Sequence, residues 1–292
     1  MNDLKDKVEI TALEAWVDRE QTTDDDLSPF KAQALSAMLR RPDYYPLAPT
    51  AGDILHPAWQ WLYFLDTPSA SSTGTDGHPK TGNFLPPVPL PRRMWAAGDF
   101  EIRHPIFLGT PATKRSAIAS VELKEGSTGP LVFVTVKHTI EQSGVVCIDE
   151  TQRIVYREKP PGPSPLPPGK ELMSSYDWSV EIQPDPVMLF RFSALTYNSH
   201  RIHYDRQYAV EEECYPGLVV HGPLQVTILN NCIRQFCDGA AVTEFSFRAQ
   251  RPLFDMDPFT VCLKRSGNQI SAWTRSHEGF VGMSAAAVIE YG

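Results

Sequence analysis

The spacing of apolar and polar residues changes several times along this chain, and each change predicts an element. Residues 28–40, SPFKAQALSAMLR, put Phe30, Ala34 and Met38 on one helical stripe with Leu35 and Leu39 beside it. Ser28 can cap that helix, Pro29 suits its first position, and Pro42 follows its end. Residues 57–65, PAWQWLYFL, form a short aromatic run that fits a buried helix or a buried strand. From 66 to 93 the pattern gives way to Ser, Thr, Gly and Pro, ending in PPVPLPRR. That predicts a long loop, of the kind that often carries function in compact domains. Strands follow at 94–103, 113–124, 131–140 and 145–157. The third alternates cleanly, with Val132, Val134 and Val136 against Thr135, Lys137 and Thr139. Short turns such as EGSTGP at 125–130 make these strands sequential and antiparallel.

Residues 160–169, PPGPSPLPPG, hold six prolines and read as a linker. Beyond it the theme repeats. A strand is predicted at 187–195, then a helix from about 222 to 238 carrying Leu224, Ile228, Leu229, Cys232, Ile233 and Phe236. That helix is apolar over much of its surface, which predicts that a sheet wraps it. Strands at 242–251, 258–265, 269–275 and 281–290 complete the chain. The class expected is α+β: two curved antiparallel sheets, each around a central helix, the first helix being 28–40. The division is 1–159, a linker at 160–170, and 171–292.

Composition narrows the function without naming it. The chain has 292 residues, 42% hydrophobic and 21% charged, so a sizeable core is affordable. A net charge of −8 argues against nucleic acid or an anionic membrane as the main partner. The five cysteines show neither disulfide-like nor metal-like spacing, which fits a reducing cytoplasm. The start, MNDLKDKVEI, lacks the apolar core of a signal peptide, and no apolar run reaches the length of a membrane span.

The chemistry concentrates between 192 and 224. Asn198 and His203, five residues apart, can converge on one point, and His is the side chain that moves protons near neutral pH. The bland alternative is a hydrogen-bonded structural histidine. His221 and Gly222 open the long helix, where free N–H groups and positive partial charge gather and a glycine admits a ligand close to the backbone. Such N–H groups suit a developing enolate oxygen. Arg92, Arg93, Arg201 and Arg206 are candidate binders of phosphate or carboxylate, against the commoner case of solvated surface arginine. Tyr197, Tyr204 and Asp205 flank the site. His138 and His200 read as structural. Cys214 and Ser193 lack the setting of a nucleophile, and no metal motif or phosphate-binding loop is present.

FSALTYNSHRIHYDRQYA followed by YPGLVVHGPL resembles the MaoC-like, hotdog-fold hydratases and dehydratases of acyl thioesters. In the (R)-specific enoyl-CoA hydratases the motif runs Asp-x-Asn-Pro-Ile/Leu-His, with a later His-Gly. Here Asn198 stands at the Asp, His200 at the Asn, Arg201 at the Pro and His203 at the catalytic His, while His221 and Gly222 match the later pair. HPAWQWLYFL and LPRRMWAAG are also similar to the subgroup of itaconyl-CoA and mesaconyl-C4-CoA hydratases and mitochondrial 3-hydroxyacyl-thioester dehydratases. The resemblance implies a double hotdog whose first unit lacks the motif and whose second is catalytic. It implies an acyl-CoA substrate, no metal or redox cofactor, and either a monomer of double hotdogs or a homodimer. His203 would activate water, Asn198 would orient it, and Gly222 would hold the thioester oxygen. Arg93 or Arg201 would meet a substrate carboxylate, with Tyr197, Val220 and His221 lining the pocket. The reaction expected is hydration of a branched dicarboxylic enoyl-CoA to citramalyl-CoA. The alternatives are a 3-hydroxyacyl-thioester dehydratase of fatty acid synthesis and a non-catalytic acyl-thioester-binding protein. Asn198 is a departure, because an amide cannot take the proton that a carboxylate takes.

Overall fold

The computed structural model of the chain describes residues 9–39, 48–126, 129–160, 162, 165–171 and 175–291. The end expected for the first helix at Arg40 and Pro42, the tip of the 125–130 turn, and several residues of the proline linker lie outside these. The elements run α1 (Ile10–Glu14), β1 (Glu20–Asp25), α2 (Pro29–Leu39), β2 (Arg92–Ile102), β3 (Ala112–Gly126), β4 (Gly129–Gln142), β5 (Val145–Arg157), β6 (Trp178–Ile182), α3 (Pro186–Leu195), α4 (Gly222–Phe236), β7 (Ala241–Ala249), β8 (Phe259–Ser266), β9 (Gln269–Ser276) and β10 (Val281–Glu290).

All ten strands form one sheet in the order β1-β3-β4-β5-β2-β7-β10-β9-β8-β6. Each half repeats one wiring pattern, 1-3-4-5-2 and then 6-8-9-10-7 counted outward-in. The halves meet where the equivalent strands β2 and β7 pair antiparallel, from Ala97 against Arg248 to Glu101 against Glu244. Antiparallel pairing of equivalent strands is what an approximate two-fold produces. The two expected sheets are therefore joined edge to edge, and the repeat that no letters display is present in the topology. A bulge in β2 between Trp95 and Ala97 bends that strand beside the junction.

The long helix is wrapped as its composition predicts. Residues 224–233 of α4 are all buried, packed against β7, β8 and β9. Leu224, Val226, Leu229 and Ile233 are fully enclosed, each worth roughly 1.5–3 kcal/mol of apolar burial. Each buried amide on this helix is half satisfied or better: Gln225 Oε1 accepts from Thr274 Oγ1, Asn230 Nδ2 donates to Val226 O, and Asn231 Oδ1 accepts from Trp59 Nε1, while Asn230 Oδ1 and Asn231 Nδ2 are buried without a partner among the described residues. In the first half the segment against the sheet is the 3-10 turn Trp59–Leu62, with Gln60 and Trp61 donating to the buried Glu150 carboxylate on β5. Helix α2 packs on that turn and on α3, its counterpart across the two-fold.

One element differs in kind from its expectation. Residues 187–195 are not a strand but most of α3. Asp185 Oδ1 caps the helix by accepting the Met188 N–H at 2.8 Å, Pro186 takes the first turn, and Leu189, Phe192 and Ser193 make its buried face. The Asp-Pro start was the sequence signal, outweighed by a β-prone composition. No helix among the described residues is long and apolar enough to cross a membrane.

Candidate active site

The chemistry-bearing segment begins as the end of α3. Asn198 N–H donates to Ser193 O at 2.8 Å and Tyr197 N–H to Ala194 O, the paired bonds of a Schellman cap. Tyr197 takes the left-handed conformation that this cap requires, at φ 51°. The chain then turns through Asn198, whose Oδ1 accepts the His200 N–H at 3.0 Å, into a single 3-10 turn, Arg201–His203. Residues 217–220 run alongside, fixed by Val219 N–H to Ile202 O and Val220 N–H to Leu253 O. Asp255 holds the same stretch by accepting the Leu218 N–H and pairing with Arg206.

This scaffold presents His203 in one tautomer. Its Nδ1 lies 2.7 Å from Val219 O, and a carbonyl only accepts, so Nδ1 carries the proton and Nε2 holds a free lone pair. His221, the residue before α4, stacks on the His203 ring at 3.6 Å between centroids and 19° between planes. Ser193 Oγ, on α3, meets His221 Nε2 at 2.8 Å, while His221 Nδ1 is buried without a partner. His200 stands edge-on to His203 at 5.5 Å, and His78 lies over His200 at 3.9 Å. Four imidazoles thus form a column at the mouth of α4.

Burial governs the column's electrostatics. It lowers His203 to about 4, more than the Val219 carbonyl raises it, and lowers His221 well below the ordinary imidazole range. His200 is also lowered, first by burial, with His78, His203 and Arg93 adding to it, and His78 is lowered by burial and Arg93 against the opposing hydrogen bond of Asp76. All four rings are neutral near pH 7, which keeps the His203 lone pair available as a base. Gly222 opens α4 next to this column, ahead of the helix's own hydrogen-bond ladder. A Cβ built on Gly222 would meet only Met283 Cε at 3.9 Å and Trp95 O at 4.0 Å, so open space lies in front of it.

The structure gathers some of the expected residues and not others. His203, His221 and Gly222 come together, with Val220 buried directly behind them. His200, read as structural, is part of the column. Asn198 is near in chain, but its carbonyl is spent on the turn. Arg201 binds Asp205 Oδ2 through Nε and Nη2 and donates to Thr75 O, so its donors are engaged. Arg92 is locked in a buried pair with Glu213, whose other oxygen lies 3.6 Å from Lys159. Arg93, on β2, makes a long hydrogen bond to Pro79 O at 3.5 Å, lies beside the Tyr156 hydroxyl, and its charge acts on Asp76, His78 and His200. Tyr197 is 57% exposed. His138 is structural, held by Ser116 Oγ and Gln152.

Sequence reasoning missed Asp76 and His78, carried by the 66–93 loop of the first half. The Asp-Gly pair at 76–77 marked a turn but gave no hint that the turn lands on the motif. Asp76, His78 and His200 are the group among the described residues whose donor atoms come within 4.8 Å of one another, as a metal site would require. Their geometry fits an ion poorly. Two imidazoles on one ion at ordinary metal–nitrogen lengths hold their centroids about 4.5 Å apart or more, whereas the His78 and His200 centroids lie 3.9 Å apart with the rings tilted by 33°.

Comparison with known proteins agrees with this architecture. The model of the family described as "Hydroxyacyl-thioester dehydratase type 2" matches residues 58–255. A mesaconyl-C(4)-CoA hydratase of Chloroflexus aurantiacus is 44% identical over 272 residues, covering 93% of this chain and 95% of that protein. Among solved structures, a MaoC-like dehydratase from Phytophthora capsici superposes with a TM-score of 0.70 at 13% identity, covering 97% of this chain and 98% of the other. A Mycobacterium tuberculosis protein described as having a double hotdog fold gives a TM-score of 0.56 at 11% identity, over 94% and 96% of the two chains. The fold is a double hotdog, and the chain belongs to the hydroxyacyl-thioester dehydratase type 2 family of MaoC-like proteins.

Proposed function

We propose that this chain is a hydro-lyase that adds water reversibly across the C=C of a short branched dicarboxylic enoyl-CoA, converting mesaconyl-C4-CoA to citramalyl-CoA. The observation that carries the reading is His203: its Nδ1–H is pinned on Val219 O, and its free Nε2 stands beside the N-terminus of α4. The 44% identity with a mesaconyl-C(4)-CoA hydratase supports the substrate class. In the forward step the oxygen of water bonds to Cβ, its proton passes to His203 Nε2, and the π pair moves onto the thioester oxygen. The Gly222 N–H stabilises that enolate. The enolate then takes the proton at Cα from the His203 imidazolium, which returns to neutral. Asn198 orients the water through its amide nitrogen, its carbonyl being occupied.

The enolate route needs a C=C conjugated with the thioester. Mesaconyl-C4-CoA has that arrangement and itaconyl-CoA does not, which favours the former. The substrate's free carboxylate needs a cation. Arg93 is the arginine we assign to it, because no carboxylate among the described residues is paired with its guanidinium, and Arg201 is set aside because Asp205 and Thr75 O hold it. Tyr197, Val220 and His221 line the acyl-CoA path. The chemistry asks only for proton transfer and charge stabilisation, so CoA enters as part of the substrate and no further cofactor is assigned. The five free cysteines suit a cytoplasmic setting. The family's own description keeps a 3-hydroxyacyl-thioester dehydratase as the second reading.

Turnover of mesaconyl-C4-, itaconyl- and crotonyl-CoA, followed by chromatography of the hydrated product and, for the two conjugated substrates, by loss of enoyl-thioester absorbance, tests the proposal. Fast loss with mesaconyl-C4-CoA alone is the expected result. Fast loss with crotonyl-CoA alone moves the function to the fatty-acyl dehydratase, and silence on all three makes it a binding protein. Arg93→Ala should raise KM for the dicarboxylic substrate tenfold or more, about 1.4 kcal/mol, because a paired carboxylate is lost. An unchanged KM would place the carboxylate elsewhere.

A further inference from the structure

The motif itself offers His203 no carboxylate. Asn198 stands where the resembling hydratases carry Asp. Asp205 is engaged by Arg201 and by the Tyr208 N–H. When His203 takes a proton in a buried site, with His200 and His221 against it, the charge must be stabilised from elsewhere.

The loop of the first half brings a carboxylate to the same column. Asp76 Oδ2 lies 3.0 Å from His78 Nδ1, and Asp76 Oδ1 accepts the His78 N–H, also at 3.0 Å. The His78 ring then packs on His200, which in turn faces His203. This loop is fastened to the motif at several points. Arg201 N–H donates to Asp76 O at 2.8 Å, Arg201 Nη1 to Thr75 O, and Ser199 Oγ to Gly77 O. Gly77 sits at φ +90°, and a Cβ there would fall 1.8 Å from Ser199 O, so this close approach requires glycine.

We infer that Asp76 and His78 are positioning residues for the hydration, supplying from the first half the carboxylate charge that the second-half motif lacks and stabilising, across His200, the imidazolium formed on His203. The inference rests on the reading of His203 as the base. The pair neither gains nor loses a proton over the cycle given above; it lowers the energy of the interval in which His203 is charged. Burial disfavours the Asp76 carboxylate, but the hydrogen bonds from the His78 ring and backbone and the charge of nearby Arg93 outweigh it and hold it below the usual carboxylate range. The groups facing His78 are Asp76 on its own turn, Arg93 from β2, His200 from the motif and Glu213. Those facing His203 are His78, His200 and His221.

The test is the pH dependence of kcat and KM for Asp76→Asn and Asp76→Glu beside His203→Ala. Asparagine keeps the Oδ1 acceptor of the turn and removes the charge. The expected result is a fall in kcat of about tenfold, the scale of one charge acting across two intervening rings at an effective dielectric near 20, with KM little changed. Losing a negative charge lowers the His203 pKa, so the acid limb of kcat should move to lower pH even as kcat falls. Asp76→Glu should recover part of the loss. Should Asp76→Asn fail to fold, His78→Gln carries the same measurements. Wild-type kcat with an unmoved acid limb would overturn the inference, leaving Asp76 as a loop fastener. Wild-type activity lost to a chelator, restored by Zn²⁺, and not restored in Asp76→Asn would also overturn it in favour of a metal site. Activity retained by His203→Ala would refute the base itself, a failure separate from that of the pair.

Discussion

Gly222→Ala separates stability from catalysis in a way that few other substitutions here can. Gly222 is the first residue of α4 and has no positive φ, so nothing in its backbone demands glycine. The added methyl would make only ordinary contacts, 3.9 Å from Met283 Cε and 4.0 Å from Trp95 O. Replacing a compatible glycine by alanine restricts the unfolded chain and should stabilise the fold by about 0.4–1 kcal/mol. The same methyl, two bonds from the amide nitrogen, should crowd the thioester oxygen, which must come within about 2.9 Å of that nitrogen. Removing one such donor from an oxyanion site costs about a hundredfold to a thousandfold in kcat, roughly 3–4 kcal/mol. Denaturant unfolding and the enoyl-CoA absorbance assay on the same preparation give both numbers. The expected outcome is a higher midpoint with an unchanged slope and a collapsed kcat. Wild-type kcat in Gly222→Ala would refute the placement of the enolate at α4, and a lower midpoint would refute the claim of free space.

Other consequences follow from the buried ion pair and the column. His203→Ala should abolish turnover while the protein stays folded, at a cost of about 1–3 kcal/mol for the Val219 carbonyl left unpaired; circular dichroism beside the kinetic assay checks both. Arg92→Ala should strand the buried Glu213 carboxylate and cost about 3–5 kcal/mol of stability, reduced to the extent that Lys159 compensates; denaturant titration measures it. The acid limb of kcat/KM should fall near pH 4, where His203 gains its proton, with little change between pH 6 and 8. Folding stability follows the same group. His203 and His221 are lowered on folding, so their contribution is present above the ordinary imidazole pKa near 6.5 and is lost as pH falls from there through about 4. Unfolding titrations at pH 7 and pH 4.5 should show that loss.

Much of this was legible in the pattern of residues. The strands of β3, β4 and β5 announce themselves through β-branched alternation, and α4 through an apolar surface too wide for a solvent-facing helix. His203, His221 and Gly222 were legible because they lie within one stretch of chain whose spacing carries the chemistry. The strand expected at 187–195 was wrong because Val187, Leu189, Phe190 and Phe192 weigh toward β, whereas the Asp185 cap and the packing against α2 decide for helix. Strand β1, EQTTDD, was invisible, having no apolar residue to mark it and relying on pairing with β3. Asp76 and His78 were out of reach for another reason. They are more than a hundred residues from His203, and it is the docking of the two halves, at the β2–β7 junction and through α2 on α3, that brings their loop to it.

The matching wiring of the two halves sets an accounting rule for ligand. Two equal halves would offer two equivalent pockets, yet His203 and the helix it faces occur in one half while the other half's loop lends side chains across the seam. On the reading of His203 as the base, each chain carries one site assembled from two unequal contributions. A titration with a non-reacting thioester should saturate at one molecule per chain, and separating the halves should leave neither with half the activity.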